Sequence, residues 1–226
     1  MIVACLAWYA ETAETLERCA LSLAGVCERM VAASGRWYGF PEVPADDRRG
    51  QLRALKAGCA TAKIELVPVI ADGEWPSQVD KRATLMDVAC SRGDWLFVID
   101  ADEYVAECQL EEFHDALWHS EFDVAQIHGR RVPLKPSSAR RPWRRLYRAS
   151  TRVTVRQAHN GYVTEDGRWL YGDPSAVDLE PCLDLTGLLL LEHDREARSS
   201  ERKDARRVYN LARRDERLET WEPVLA

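Results

Sequence analysis

The sequence predicts an α/β protein with a mostly parallel central sheet, and three observations support this prediction. Four apolar segments of strand length alternate with three segments of helical periodicity over the first hundred residues. Strands separated by helices in this way form right-handed parallel units. The segment 95–99 has five bulky apolar residues without a break, which is typical of a strand buried on both faces. A charged amphipathic segment over 198–219 predicts a C-terminal helix outside the sheet.

The first half of the chain has the clearest periodicity. Apolar residues recur at i, i+3, i+4 and i+7 from Leu16 to Leu23, which predicts an amphipathic helix. Thr12 precedes this pattern and is a plausible cap for the helix. Pro68 cannot donate to a sheet ladder, so its strand is expected at an edge. The predicted elements are strand 1–8, a helix beginning near Thr12, strand 29–34, helix 47–60, strand 63–70, helix 78–91 and strand 95–100.

The second half alternates less regularly. An Asp-Gly pair at Asp166 and Gly167 indicates a hairpin turn. Residues 130–145 are rich in Arg, Pro and Ser without periodicity, which predicts a loop. The predicted elements are helix 111–118, strand 122–129, strands 145–150 and 153–157, hairpin 163–170, strand 185–191, and helix 198–219 with an apolar stripe of Val208, Leu211 and Ala212.

Composition indicates one globular domain of 226 residues with no nucleic-acid partner, since the net charge is -6. The seven cysteines form no CxxC pair, so neither a zinc ribbon nor a disulfide framework is predicted, and a cytoplasmic setting is expected. No signal peptide and no membrane span are predicted. The expected division is a first half 1–104, a second half 105–197, and a helix and tail 198–226.

The acidic cluster after the buried strand is the main candidate site. Asp100 and Asp102 are two residues apart, so they project to the same side if the extended path continues. Adjacent carboxylates are suited to a divalent cation such as Mg²⁺ or Mn²⁺. Open α/β sheets also bind ligands at the carboxyl ends of their strands. The alternative is a strand end whose acids cap a following helix.

The segment from Gln78 to Arg82 followed by GDWLFVIDADEY resembles the family 2 type of nucleotide-sugar glycosyltransferase, which has the single-domain glycosyltransferase-A, Rossmann-like fold. The Asp-x-Asp element of that family is matched by Asp100, Ala101 and Asp102. The resemblance implies sugar transfer from a nucleoside-diphosphate donor, with a divalent cation (Mn²⁺ or Mg²⁺) held by Asp100 and Asp102. His193 stands where such enzymes often place a third ligand, although a late histidine is equally typical of a hydrogen-bonded structural residue.

The resemblance also implies where the donor binds. In that family, the base and ribose of the donor bind the loops after the first and second strands. Many members carry an Asp in the second of these loops, and this chain lacks it. Core packing of Trp8 and a solvated Glu11 are the structural alternatives. The implied donor-binding residues are Trp8, Tyr9, Glu11, Ser34, Arg36, Lys81, Arg82, Asp100, Ala101 and Asp102.

An inverting transferase needs a base at the acceptor hydroxyl. Glu165 and Asp166 are candidates by position, although their Asp-Gly context indicates a hairpin turn first. His159 and Asp194 are the other candidates, and the resemblance favours inversion as a family habit. The acceptor, whether glycan, protein or small molecule, the donor sugar and the oligomeric state are not specified by these residues. The location implied is the cytoplasm, or the host cytoplasm if the enzyme is phage-encoded.

Two other functions are compatible with the same acids. A sugar- or nucleotide-binding protein that has lost catalysis would retain the fold. A haloacid-dehalogenase-like phosphatase also places Asp-x-Asp after a strand, but normally at the first strand, and no later strand here ends in the paired acids such enzymes need.

Overall fold

The computed structural model describes residues 1–43, 47–132, 141–157, 161–171, 181–194 and 196–219. The helices are α1 (Ala13–Ser22), α2 (Arg48–Thr61), α3 (Gln78–Cys90), α4 (Leu110–Trp118) and α5 (Ser200–Glu219). The strands are β1 (Ile2–Trp8), β2 (Arg29–Ser34), β3 (Glu65–Val69), β4 (Trp95–Asp100), β5 (Glu103–Cys108), β6 (Val124–Val132), β7 (Arg141–Arg148), β8 (Thr154–Gln157), β9 (Gly161–Val163), β10 (Trp169–Tyr171), β11 (Leu183–Asp184) and β12 (Leu189–Asp194).

One large sheet contains strands from both halves of the chain, in the order β3-β2-β1-β4-β7-β6-β12-β5, with β11 beside β6. The strands β1 to β4 pair in parallel and are connected by the helices α1 to α3, and β6 and β12 also pair in parallel. The strands β7 and β5 run antiparallel to their neighbours. The predicted α/β class, with a mostly parallel sheet, flanking helices and a C-terminal helix, is confirmed.

The sheet is covered on both faces, which explains the unbroken apolar run of β4. Trp95, Phe97 and Ile99 pack into the cluster that contains α1, α2 and α4. Leu96 and Val98 pack into the opposite cluster, with α3. All five side chains are at most 2% exposed. Alternation of side chains along a strand therefore sends apolar groups to two separate cores.

The first half follows its predicted elements closely. Thr12 caps α1, since its hydroxyl accepts a hydrogen bond from the backbone N–H of Thr15 at 3.1 Å. The Pro68 strand lies at the edge of the sheet, as β3. No helix in the described ranges is long and apolar enough to cross a membrane.

The second half departs from prediction in three places. Residues 103–108 form β5, which was not predicted, because its ladder partner β12 lies more than eighty residues later in the chain. The predicted loop 130–145 is wrong at both ends, where β6 continues to Val132 and β7 begins at Arg141. The predicted strand 185–191 is displaced, since 185–188 precede the ladder and β12 extends to Asp194.

The helix α5 docks through a different stripe from the predicted one. Val208 and Leu211 are 57% and 51% exposed, whereas Arg202 and Ala205 are 7% and 8% exposed. The ring of Tyr209 packs on those of Trp37 and Phe40, at centroid distances of 6.0 and 5.2 Å. This face brings arginines, rather than aliphatic side chains, against the sheet domain.

Candidate active site

A cleft opens at the carboxyl ends of the parallel strands, where α/β sheets bind ligands. The ladder register places Ala7 of β1 beside Asp100 of β4, and Trp8 beside Ser34 of β2. The cleft is lined by Ala7, Trp8, Tyr9, Glu11, Trp37, Phe40, Gln78, Lys81, Arg82, Asp100, Ala101, Asp102, Arg198, Arg202, Arg206, Tyr209 and Asn210. Five segments that are separate in sequence thus converge on one site.

The acids after β4 lie on a tight turn, so the extended path that would project Asp100 and Asp102 to one side does not continue. The chain turns at Ala101 and Asp102 and then enters β5. A carboxylate oxygen of Glu103 accepts a hydrogen bond of 2.8 Å from the Asp100 N–H. The other oxygen of Glu103 pairs with Arg145 of β7, and both side chains are buried. This buried ion pair holds the turn in place.

Asp102 is 1% exposed and is shared by two basic side chains. Its Oδ2 lies 2.8 Å from His193 Nε2 and 2.9 Å from Arg198 Nη2. Its Oδ1 is buried and has no hydrogen-bond partner in the part of the chain that the structure describes. Burial alone lowers the pKa of His193, but the hydrogen bond and the charge of Asp102 more than offset this, so the pKa is raised.

Asp100 faces the other wall of the cleft. Its Oδ1 accepts a hydrogen bond of 2.5 Å from Arg82 Nη2, on α3. Burial opposes its charge, but the guanidiniums of Arg82 and Arg145 hold the pKa of Asp100 well below its usual range. The carboxylate is therefore ionised at neutral pH and is already paired with the guanidinium of Arg82.

Lys81 ties two loops together instead of facing the cleft freely. Its Nζ donates to the carbonyl oxygens of Trp8 and, at 2.8 Å, of Gly35, which follow β1 and β2. Burial and the neighbouring Arg82 lower the pKa of this amine well below its ordinary value. Of the two adjacent basic residues, Arg82 is the one that contacts an acid of the Asp-x-Asp element.

Arg202 joins α5 to the loop after β1. Its Nε donates to the carbonyl oxygen of Tyr9 at 2.8 Å and lies 3.7 Å from Glu11 Oε1. Its guanidinium also lies 4.7 Å from the centroid of the Phe40 ring. Burial raises the pKa of the Glu11 carboxyl, and the positive charges of Arg202 and Arg198 oppose that increase. Tyr9, Trp37 and Phe40 are all buried beneath this contact.

Other predicted site residues lie elsewhere. Ser34 and Arg36 do not line the cleft; Arg36 pairs with Glu74, and the Ser34 carbonyl accepts from Trp75 Nε1 at 2.7 Å. Asp194 pairs with Arg18 at 2.8 Å and accepts hydrogen bonds from the N–H groups of Glu196 and Ala197. His159 lies outside the described residues.

The arginines of α5 were not predicted from the sequence. Arg202 and Arg206 are spaced by four on α5, which places their side chains on one face, and Arg198 lies two residues before the helix begins. This spacing was a usable signal, but the prediction followed the apolar residues of the same helix. Arg145 gave no local signal, because its partner Glu103 is 42 residues away in sequence.

The two aspartates fit a divalent cation in one particular way. The described residues contain no cluster of three or more His, Cys, Asp and Glu side chains that could hold a metal. Mg²⁺ and Mn²⁺, however, commonly use one or two carboxylates together with substrate phosphates and water. The orphaned Oδ1 of Asp102 is such an oxygen. The donor set therefore fits a cation that arrives with a phosphorylated ligand, not an all-protein metal cage.

No protein-family model matches the sequence, and no curated protein is significantly similar to it. The fold is similar to that of S. aureus TarS residues 1–349, with 14% identity over 66% of this chain and a TM-score of 0.49. The same protein in complex with UDP-GlcNAc aligns over 62% of this chain, with 14% identity and a TM-score of 0.45. This chain covers 47% and 37% of those two chains, respectively. At these values the similarity assigns no ligand or activity to this chain.

Proposed function

We propose that this protein is a glycosyltransferase that takes a sugar from a nucleoside-diphosphate donor, with the diphosphate bound in the cleft between β4 and α5. The observation that supports this most directly is the convergence of Asp100, Asp102 and Arg82 with the α5 arginines at the carboxyl ends of the parallel strands. A cleft with both carboxylates and guanidiniums suits an anionic ligand that carries its own cation.

Asp100 and Asp102 would hold a divalent cation, Mn²⁺ or Mg²⁺, together with phosphate oxygens of the ligand. His193, the proposed third ligand, would have to exchange its 2.8 Å contact with Asp102 to join them. When bound, such a cation neutralises negative charge on the leaving diphosphate. Arg82 keeps Asp100 ionised, and His193 and Arg198 keep Asp102 oriented toward the cleft. Glu103 and Arg145 fix the turn that carries both acids. These contacts preorganise the site before any ligand binds.

Trp8, Tyr9 and Glu11 are the proposed contacts for the nucleoside. Trp8 and Tyr9 are each 3% exposed, so they would form the floor of this subsite and not a mobile cover. Their position is fixed by the Trp8 Nε1 hydrogen bond to Gln51 at 3.2 Å and by Lys81. Glu11 Oε2 is buried without a hydrogen-bond partner among the described residues, so it is available to a ribose hydroxyl.

The proposed stereochemical outcome is inversion, which requires a single base at the acceptor hydroxyl. His159 and Asp194 remain the proposed bases. The carboxylate of Asp194 would have to exchange its contact with Arg18 to act in this way. The acceptor is a glycan, a protein or a small molecule that presents a hydroxyl to the open side of the cleft.

A binding protein without catalysis is the second candidate, and one observation favours it. Both acids already have a protein cation: Arg82 pairs with Asp100, and Arg198 pairs with Asp102. If these pairs persisted in the presence of a ligand, the cleft would bind nucleotide without a metal and without turnover.

The test combines binding and turnover. Calorimetric titration of a panel of nucleoside diphosphates, with and without Mn²⁺, is expected to show one base bound preferentially, with affinity increased by the metal. Metal-dependent release of the nucleoside diphosphate from the matching nucleotide-sugar would establish the transferase chemistry. Nucleotide binding without turnover in either condition would establish the binding protein. Turnover of simple phosphate esters, without sugar nucleotides, would indicate a phosphatase.

A further inference from the structure

We propose that Arg206, together with Arg202 and Arg198, forms a metal-independent binding surface for the diphosphate group of the ligand. This inference rests on the proposed function for the identity of the ligand, and it adds contacts to the anion that do not depend on the cation at the Asp-x-Asp turn. These three side chains, Arg198, Arg202 and Arg206, form the arginine row.

The arginine row is directed into the cleft. Arg202 and Arg206 are four residues apart on α5, so they share one helical face, and Arg198 precedes the helix by two residues. All three line the same cleft as Asp100 and Asp102. Arg207, the next residue of the helix, is exposed and does not line the cleft. The row is therefore a feature of one face and not of a generally basic helix.

The row has unused hydrogen-bonding capacity. Arg202 is 7% exposed, yet its Nη1 has no hydrogen-bond partner among the described residues. The Nε of Arg198 is buried and unpartnered in the same ranges. No hydrogen bond or ion pair joins Arg206 to any described residue, although it is half-buried. Buried donors without acceptors are costly, and a bound anion would satisfy them.

The net charge of the cleft lining also favours a diphosphate as the ligand. The side chains that line the cleft include five basic groups (Lys81, Arg82, Arg198, Arg202 and Arg206) and three carboxylates (Glu11, Asp100 and Asp102). The lining therefore has a formal excess of two positive charges. The internal diphosphate of a nucleotide-sugar carries about two negative charges and offers acceptor oxygens that guanidinium groups bind in pairs. A neutral ligand would leave the excess charge uncompensated.

Replacement of Arg206 can distinguish ligand binding by the arginine row from a purely structural role of these side chains. Arg202 docks α5 on Tyr9 and Glu11, and Arg198 holds Asp102, so replacing either one disturbs the fold as well as any ligand. Arg206 makes no such contact in the described structure, and the docking of its helix is provided by Arg202, Ala205 and Tyr209. Its replacement therefore reports on ligand binding.

The experiment is calorimetric titration of inorganic pyrophosphate in the presence of EDTA, at low salt, with the full-length wild type, Arg206→Gln and Arg207→Gln. The wild type is expected to bind, and R206Q to lose about tenfold or more in affinity, because a charge-assisted contact is removed. R207Q removes the same charge from the outer face and is expected to bind as the wild type does. Thermal unfolding of the three proteins controls for folding.

No pyrophosphate binding by the wild type, or equal affinities for R206Q and R207Q, would overturn the proposal. The outcome is independent of the transferase chemistry. If pyrophosphate binding depends on Arg206 but no nucleotide-sugar is consumed, the arginine row stands and the proposed function fails. If nucleotide-sugar is consumed and R206Q binds pyrophosphate normally, the proposed function stands and the arginine row is wrong.

Discussion

The two halves of this molecule contribute different things to the cleft. The half that runs from β1 to β4 is a run of local β/α units, in which each strand pairs with a neighbour that the crossover rules predict. The half after β4 pairs strands far apart in sequence, such as β5 with β12 and β4 with β7. The first half positions Asp100 and Arg82. The second half provides Arg145, His193 and the α5 arginines, whose charges surround them.

The difference teaches that the frame and the charge balance of the site are encoded separately. Local periodicity and caps build the frame, so changes there should alter stability by small and local amounts. Long-range ion pairs hold the acidic turn, so changes there should affect both stability and ligand binding. Four substitutions test this division.

The largest effect is expected from Arg145→Met, which leaves the buried Glu103 carboxylate without its ion-pair partner. Breaking a buried pair from one side costs about 3–5 kcal/mol of unfolding free energy. Urea unfolding measures this loss. The double variant Glu103→Gln/Arg145→Met removes both charges and is expected to recover much of it. Equal stabilities for the single and double variants would show that the pair does not hold the turn.

Under the proposed function, Asp102→Asn is expected to lower sugar-transfer activity by about two orders of magnitude, because it removes one charged ligand of the proposed cation. Nucleotide binding should also lose its dependence on Mn²⁺, measured by calorimetry. Asp115→Asn is the matched control, because that carboxylate is 76% exposed on α4. Metal-dependent binding that survives in D102N would remove Asp102 from the site.

A smaller effect is expected in the first half from Thr12→Ala, which deletes the side-chain cap of α1. Loss of such a cap costs about 1 kcal/mol of unfolding free energy. Nucleotide affinity should be unchanged, because the frame is supported along its whole length by packing. A change in affinity larger than the change in stability would mean that frame and site are not separable.

The smallest effect is a pH dependence carried by His193. Its pKa in the folded protein is above the ordinary 6.5, so its stabilising contribution is complete below that pH and is lost as the pH rises through the folded pKa. The stability advantage of the wild type over His193→Gln should therefore decrease between about pH 6 and about pH 9. Denaturant unfolding at both pH values measures it. A constant difference would indicate that the imidazole contributes in its neutral form only.

The elements that could be predicted share one property, which is that their signal lies within about fifteen residues of sequence. The helix periods after Thr12, the edge position of Pro68 and the two-sided burial of β4 all belong to this class. The grouping of Trp8, Tyr9, Glu11 and Arg82 near the acids is not a local signal. It was implied by the resemblance, and it agrees with the rule that parallel strands bring their carboxyl ends to one edge.

The hydrogen-bond and ion-pair partners of the side chains, in contrast, could not be predicted from the sequence. Lys81 and Arg82 are adjacent and alike in sequence, yet one is bonded to two buried carbonyl groups and the other to Asp100. The strand β5 was missed because its antiparallel partner β12 lies more than eighty residues later. The loop predicted at 130–145 was wrong at its ends because the end of β6 pairs in parallel with the distant β12, and the start of β7 pairs with β6.

Residue order alone therefore established the α/β class, the parallel frame and the location of the acidic turn. Only the tertiary structure decided that Arg145 secures this turn, that Arg198 and His193 share Asp102, and that α5 presents arginines to the cleft. The physical reason is the distance along the chain over which each kind of interaction acts. Periodicity and capping act between neighbours along the chain, whereas a buried charge is stabilised by whichever partner the fold brings within hydrogen-bond distance.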